Sequence, residues 1–299
     1  MIFGNRLHRQ AKDPQGATPA KLILVDVSKT FLIRKGQINA IENISLEVKA
    51  GEFVCIVGPS GCGKSTLLNI IAGLEKPDRG QAFVNGSPIQ GPGRDRILIF
   101  QELALFPWLS VIKNVEFGLR MANIPPKQRE ERAFHFLKMV HLSRFHHAYI
   151  HELSGGMKQR VALARALALD PEILLMDEPF AALDAQTRDL LHEELQEIWE
   201  ATGKTIVFVT HNVREAACLG DRVLVLATRP GRIQREFQIV LGRPRHIEDP
   251  NLIAYAKAIL SDIKEEVEKV AKEEHDHDWR AAPKRHILRA DDFDLGSGI

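Results

Sequence analysis

Gly58-Pro59-Ser60-Gly61-Cys62-Gly63-Lys64-Ser65-Thr66 places glycines, a lysine and two hydroxyls at the spacing G-x-x-x-x-G-K-[ST]. Glycine lets a backbone wrap closely and aim its N–H groups at phosphate oxygens. A helix starting at such a turn adds unsatisfied donors and a favourable dipole. Lys64 is spaced to reach β- and γ-phosphates, and Ser65 to offer its hydroxyl to Mg²⁺. All of Gly58 to Thr66 are candidate nucleotide contacts. The spacing alone indicates a nucleotide-binding P-loop, which kinases and GTPases also carry. Cys62 inside it reads as a tolerated small side chain, with a redox-sensitive thiol as the lesser alternative.

A second constellation is Ile173-Leu174-Leu175-Met176-Asp177-Glu178-Pro179, four apolar residues ending in two carboxylates. A buried strand in an open α/β sheet delivers its C-terminal residues to the crevice where ligands bind. Asp177 is placed to hold Mg²⁺ through its water shell, and Glu178 to polarise an attacking water. Neighbouring residues of a strand face opposite ways, so the two carboxylates need not share a task.

The third is Leu153-Ser154-Gly155-Gly156-Met157-Lys158-Gln159-Arg160, ahead of a helical run from Val161 to Leu169. Ser154, Gly155 and Gly156 at a helix start make a second anion site. The first loop already wraps one side of ATP, so this one is expected to close the other side from a second subunit.

The elements that position these residues follow from pattern. Lys21 to Val27 and Ala40 to Val48 read as strands, the latter alternating apolar and polar. Phe53 to Val57, Ile173 to Met176, Thr205 to Val209 and Arg222 to Ala227 are apolar runs suited to buried parallel strands. Ser65 to Leu74 has helical spacing, residues 102–165 look mostly helical, and Glu130 to Val140 is amphipathic. Strands alternating with helices give an α/β fold with a mostly parallel sheet. Asp249 and Pro250 form a helix start. Leu252, Ala256, Ile259, Leu260, Ile263, Val267 and Val270 then mark one face of a helix over about 250–274.

With these motifs in this order, the chain resembles the ATP-binding subunit of an ABC transporter over about residues 21–245. The resemblance implies a P-loop NTPase core with an N-terminal antiparallel β subdomain and an inserted helical subdomain at about 102–165. Residues 1–20 are then a flexible lead, and 246–299 a C-terminal helix and charged tail. Gln101 matches the family's Q-loop glutamine, which contacts Mg²⁺ and the water. Asp184 in Ala182-Leu183-Asp184 matches the D-loop, and His211 matches the switch histidine that contacts the γ-phosphate. Phe31 falls near the aromatic residue that stacks on adenine. Asn212 departs from the aspartate common after that histidine, which puts the local hydrogen bonding in doubt. By the same resemblance, two ATP molecules with Mg²⁺ lie between two such subunits, a homodimer or a pair of paralogues. Lys64, Gln101, Glu178 and His211 are the catalytic candidates, and Ser65, Gln101 and Asp177 the metal candidates.

The segment from Phe100 to Leu109 and Arg229-Pro230-Gly231-Arg232-Ile233 resemble the nitrate, sulfonate and taurine importer branch. Pro107 and Trp108 fall where the family grips its permease. The implied partners are separate transmembrane permease subunits and, indirectly, a solute-binding protein. The alternative is a soluble relative acting in DNA repair or translation. Against it stands the interval from Gln101 to Leu153, sized for a compact helical subdomain rather than a coiled coil.

Bulk properties fit a peripheral subunit. The 299 residues carry a formal net charge of +1, which points to no nucleic-acid partner. Three cysteines without ligand spacing speak against disulfides or zinc and for a reducing cytosol. No stretch approaches the roughly 18 apolar residues of a membrane span. The expected location is the cytoplasmic face of the cell membrane, held through the permease. His275 and His277 open a charged tail that reads as solvated rather than metal-binding.

Overall fold

The computed structural model describes residues 20–34 and 36–274, with side chains as far as residue 268. The expected N-terminal lead, the histidine-containing tail and the Val270 side chain lie outside these.

Four buried apolar runs build the centre. Strands β1 (Ala20–Ile33) and β2 (Gly36–Lys49) precede β3 (Phe53–Val57), which leads through the glycine loop into α1 (Lys64–Ala72). Next come β4 (Arg79–Val84), β5 (Ser87–Pro88) and β6 (Arg96–Ile99). Three helices follow, α2 (Val111–Met121), α3 (Pro126–Met139) and α4 (Gly155–Ala168). The chain continues as β7 (Ile173–Asp177), α5 (Ala185–Thr202), β8 (Thr205–Val209), α6 (Val213–Leu219) and β9 (Arg222–Leu226). It ends in β10 (Ile233–Gln238) and α7 (Pro250–Glu274).

One sheet has the order β10-β9-β3-β8-β7-β6. It is parallel except for β10, which runs antiparallel to β9. The second sheet, β2-β1-β4-β5, is wholly antiparallel. This is the α/β architecture expected from the sequence. Apart from β6, the parallel strands are buried on both faces, so they read as nearly unbroken apolar runs. Alternate residues serve different cores. Phe53, Cys55, Leu174, Met176, Ile206 and Phe208 pack with the helical side. Val54, Ile56, Ile173, Leu175, Val207 and Val209 pack with α1 and the antiparallel sheet.

Sequence patterning missed β4, β6 and β10. Strand β4 is mostly exposed over Arg79-Gly80-Gln81, β6 has four residues and is only partly buried, and β10 (Ile-Gln-Arg-Glu-Phe-Gln) is an edge strand with mostly exposed residues. It also ended α1 late: the helix stops at Ala72, capped by left-handed Gly73.

Helix α7 starts as expected, with the Asn251 N–H donating to Asp249 Oδ1 at 2.8 Å. It packs on the chain's own α6 and β9. Its buried face differs from the expected stripe. Leu252, Ala256 and Ile259 are buried, but Leu260 and Val267 are exposed while Asp262 and Glu266 are buried. Arg235 of β10 pairs with Asp262 at 3.3 Å, so the buried face takes in a carboxylate.

The two sheets are tied by Lys21, whose ammonium donates to Glu172 Oε2 at 2.6 Å beside Asn85 Nδ2 at 2.7 Å. The Lys21 hydrogen bond, with that of Asn85, holds the Glu172 carboxyl below its ordinary value of 4.5. A depressed folded pKa contributes stability above the unfolded value, and that contribution is lost as pH falls through the folded value. Lys21→Met is therefore expected to lower stability at pH 7 by at most about 1 kcal/mol, since Glu172 is half exposed. Urea titrations should show the gap from wild type narrowing below pH 4.5; a pH-independent gap would assign the loss to packing of the lysine stem.

Candidate active site

The glycine loop leaves β3 at Val57 and enters α1 at Lys64. Gly63 caps α1 with φ +93°, and a Cβ there would lie 2.5 Å from Ile41 Cγ2 and 2.6 Å from Ala40 O. Strand β2 therefore presses directly on the loop, and only glycine fits. Ser60 and Gly61 are exposed at its crest, Ser65 opens to the same side, and Pro59 and Thr66 are half-buried. Lys64 is buried, and its ammonium donates to Gly58 O and Pro59 O at 2.9 Å each.

Cys62 does not face outward with its neighbours. It is fully buried with the α1-side core, its Sγ 3.9 Å from Lys64 Nζ. Burial pushes its thiol up from the ordinary cysteine value, which disfavours the reactive thiolate. Its contribution to the loop is packing.

Strand register brings the carboxylates to this loop. Asp177 continues the face of Ile173 and Leu175, the side that packs on α1. It accepts a hydrogen bond from Ser65, and burial pushes its carboxyl above the ordinary aspartate value while Ser65 pulls it back. A hydroxyl and a carboxylate in contact are hard oxygen donors of the kind Mg²⁺ takes, so these residues fit that cation.

Glu178 turns the other way. Its backbone has φ +45°, a left-handed conformation uncommon for a non-glycine residue, held by its N–H donating to Val209 O at 2.9 Å. Its Oε2 lies 3.0 Å from Nδ1 of His211, the second residue beyond β8. Gln101 is exposed two residues beyond β6, whose Ile99 pairs with Met176. Lys64, Ser65, Gln101, Asp177, Glu178 and His211 thus share the C-terminal edge of neighbouring strands, where open α/β sheets bind ligands.

Asn212 resolves the doubt raised by its departure from aspartate. Its Oδ1 caps α6, accepting from the N–H groups of Arg214 at 3.0 Å and Glu215 at 3.3 Å. An asparagine oxygen caps a helix as well as a carboxylate does.

Ser154 caps α4, its hydroxyl accepting from Met157 N–H at 3.3 Å. The glycines after it have a packing role that the sequence reading missed. A Cβ on Gly155 would lie 3.1 Å from Leu183 Cδ2, and one on Gly156 2.6 Å from Thr187 Cγ2. The segment from Leu183 to Thr187 contains Asp184, which caps α5 by accepting from Thr187 N–H at 2.9 Å. That bond holds the Asp184 carboxyl below its ordinary value. Arg160 then clamps α4 to Glu194 of α5 at 2.8 Å through Nε.

Phe31 is partly exposed on the β1–β2 hairpin, paired with Ile38, with the Lys29 ammonium 5.4 Å from its ring. Beyond Gln101 a surface groove of about 280 Å³ is lined by Phe100, Ala104, Phe106, Phe117 and Arg165. Arg165 donates to Ala104 O and Leu103 O at 2.7 and 2.6 Å. Trp108, 70% exposed, stands near it with its ring 5.6 Å from that of Phe106. No helix among the described residues is long and apolar enough to cross a membrane.

The family profile described as ABC transporter matches residues 41–181. An uncharacterized ABC transporter ATP-binding protein of Methanocaldococcus jannaschii is 52% identical over 252 residues, 84% of this chain and 94% of that protein. The nitrate import ATP-binding protein NrtD of Synechocystis is 50% identical, covering 74% of this chain and 83% of that protein. The taurine import ATP-binding protein TauB of Burkholderia pseudomallei is 45% identical, covering 84% and 100%. Among solved structures, a dimeric post-hydrolysis state of an ATP-binding cassette bound to ADP and Pi matches with TM-score 0.66 and 37% identity. It covers 74% of this chain and 100% of that one.

Proposed function

The chain belongs to the ABC transporter ATP-binding family, and on that premise we propose that it is the MgATP-hydrolysing subunit of an importer, paired face to face with a second such subunit. The names of its relatives, nitrate and taurine import ATP-binding proteins, favour import over DNA repair or translation. The solute we propose is a small anion such as nitrate, a sulfonate or a taurine-like molecule. Delivery by a solute-binding protein, and a place at the cytoplasmic face of the cell membrane through permease subunits, complete the reading.

One observation carries the chemistry: Asp177 meets Ser65 while Glu178 meets His211, from adjacent strand ends above one glycine loop. Phosphoryl transfer to water needs positioning and charge stabilisation more than covalent work. The loop N–H groups and Lys64 hold the β- and γ-phosphates, and the exposed Phe31 ring offers a face to adenine. Ser65 and Asp177, with Gln101, would hold Mg²⁺, which when bound would supply neutralisation of phosphate charge. Glu178 takes the proton of the attacking water. His211 donates Nδ1–H to the Glu178 carboxylate, and to bind the γ-phosphate its Nε2 must carry a hydrogen as well, since phosphate oxygens only accept. Ser154, Gly155 and Gly156 of the second subunit close the far side, and Asp184 borders that contact. The groove beside Trp108 is the proposed seat of the permease.

The test is recruitment together with turnover. Expressed alone, the full chain should stay out of the membrane fraction; co-expressed with permease subunits encoded beside its gene, it should enter it and hydrolyse ATP in a Mg²⁺-dependent way. Absence of both recruitment and hydrolysis would overturn the reading.

A further inference from the structure

Behind His211 lies a chain of buried polar groups outside the candidate nucleotide contacts named above. Glu215 in the first turn of α6 is 3% exposed, His192 of α5 1% and Thr210 after β8 2%. Nε2 of His192 lies 2.7 Å from Glu215 Oε1. The Thr210 hydroxyl donates to the other oxygen, Oε2, in a short contact. Thr210 Oγ1 in turn accepts from the Asn212 N–H at 3.0 Å. Thr210 is also fixed by its own N–H, which donates to Ile56 O at 3.1 Å. The residue between the two anchored positions is His211.

A buried carboxylate is tolerable only with donors, and charge-assisted hydrogen bonds are about twice as strong as neutral ones. Glu215 has one donor from α5 and one from the switch loop, so it couples the two. We propose that His192 and Glu215 are positioning residues for hydrolysis: the carboxylate, held by His192, fixes the Thr210 hydroxyl and through Asn212 N–H the backbone that presents His211 to Glu178. The proposal rests on Glu178 and His211 being the hydrolytic pair. All three braced side chains are buried, which places them as positioning rather than catalytic groups. Loss of the brace slows the step that depends on His211 placement and leaves ATP capture by the glycine loop intact.

His192 borders a cavity of about 290 Å³ lined also by Asp189, Glu193, Cys218, Arg245 and His246, and its Nδ1 makes no hydrogen bond among the described residues. Replacement side chains therefore have room. In the full-length chain assembled with its permease subunits, His192→Leu is expected to lower kcat for ATP by about 10-fold, with KM within about 2-fold. His192→Gln, which keeps an N–H donor for Glu215 Oε1, is expected to recover kcat to within about 3-fold of wild type. Should His192→Leu not fold, Thr210→Val against Thr210→Ser makes the same comparison, with the hydroxyl required for speed. Unchanged kcat in His192→Leu or Thr210→Val, or equal impairment of the paired conservative variants, would overturn the brace. Wild type and Glu178→Gln are measured alongside: an inactive wild type refutes the functional reading and the brace with it. An active wild type with unimpaired His192→Leu refutes the brace alone.

Discussion

Glu178→Gln is expected to bind ATP and form the closed dimer, yet to lose turnover by about 10²–10⁴-fold, the range for a removed general base. The side chain keeps its length and shape. Its amide oxygen still accepts from His211 Nδ1, so the 3.0 Å contact survives. The left-handed backbone at 178 is held by the hydrogen bond to Val209 O, which the substitution does not touch. What disappears is the capacity to take a proton from water. The effect should therefore fall on kcat alone, equivalent to about 3–5.5 kcal/mol of transition-state stabilisation. Single-turnover hydrolysis of labelled ATP, with gel filtration for the dimer, reads both halves of the expectation. Wild-type hydrolysis would remove Glu178 from the role. Failure to retain ATP would instead point to a place in binding.

Much of this site was legible because its residues sit where the fold exposes strand ends. The β3 and β7 runs are apolar on both faces, so their ends are marked by the first polar residues, the glycine loop and Asp177-Glu178. The two carboxylates do meet different partners, Ser65 and His211, but β7 ends at Asp177 and Glu178 is left-handed, so its direction comes from that turn and not from the strand period. Elements without that contrast escaped. Strand β10 is mostly polar and exposed, and β6 has four residues. Helix α7 shows the limit of a hydrophobic stripe. Leu260 and Val267 look as apolar as Ile259, but the buried face also takes in Asp262, paired with Arg235 of β10, and a period-based reading does not anticipate a carboxylate there. The brace was invisible for the same reason. His192, Thr210 and Glu215 are 18 and 5 residues apart, from three different elements, and each alone has the appearance of a surface residue. The glycines of the Ser154 motif were read for their freed N–H groups. Their near-contacts with Leu183 and Thr187 depend on how α4 crosses α5, which no local pattern encodes.

That crossing makes the composite site testable by mixing chains. Lys64→Ala removes the ammonium, and a lost hydrogen bond to a charged partner costs about 1.5–3 kcal/mol, or about 10–100-fold in ATP affinity. Ser154→Arg leaves the glycine loop intact but places a bulky cation at the start of α4, on the face that would meet the other subunit. In a Glu178→Gln background, neither variant alone should retain ATP through gel filtration. On mixing, each dimer that pairs one variant with the other contains one damaged site carrying both changes and one site built from the intact Lys64 of one chain and the intact Ser154 of the other. The mixture should retain close to one ATP per mixed dimer. Were the whole site contained in one chain, every subunit in the mixture would carry a defect and retention would not exceed the mean of the two variants. Recovery on mixing therefore separates a shared site from a self-sufficient one.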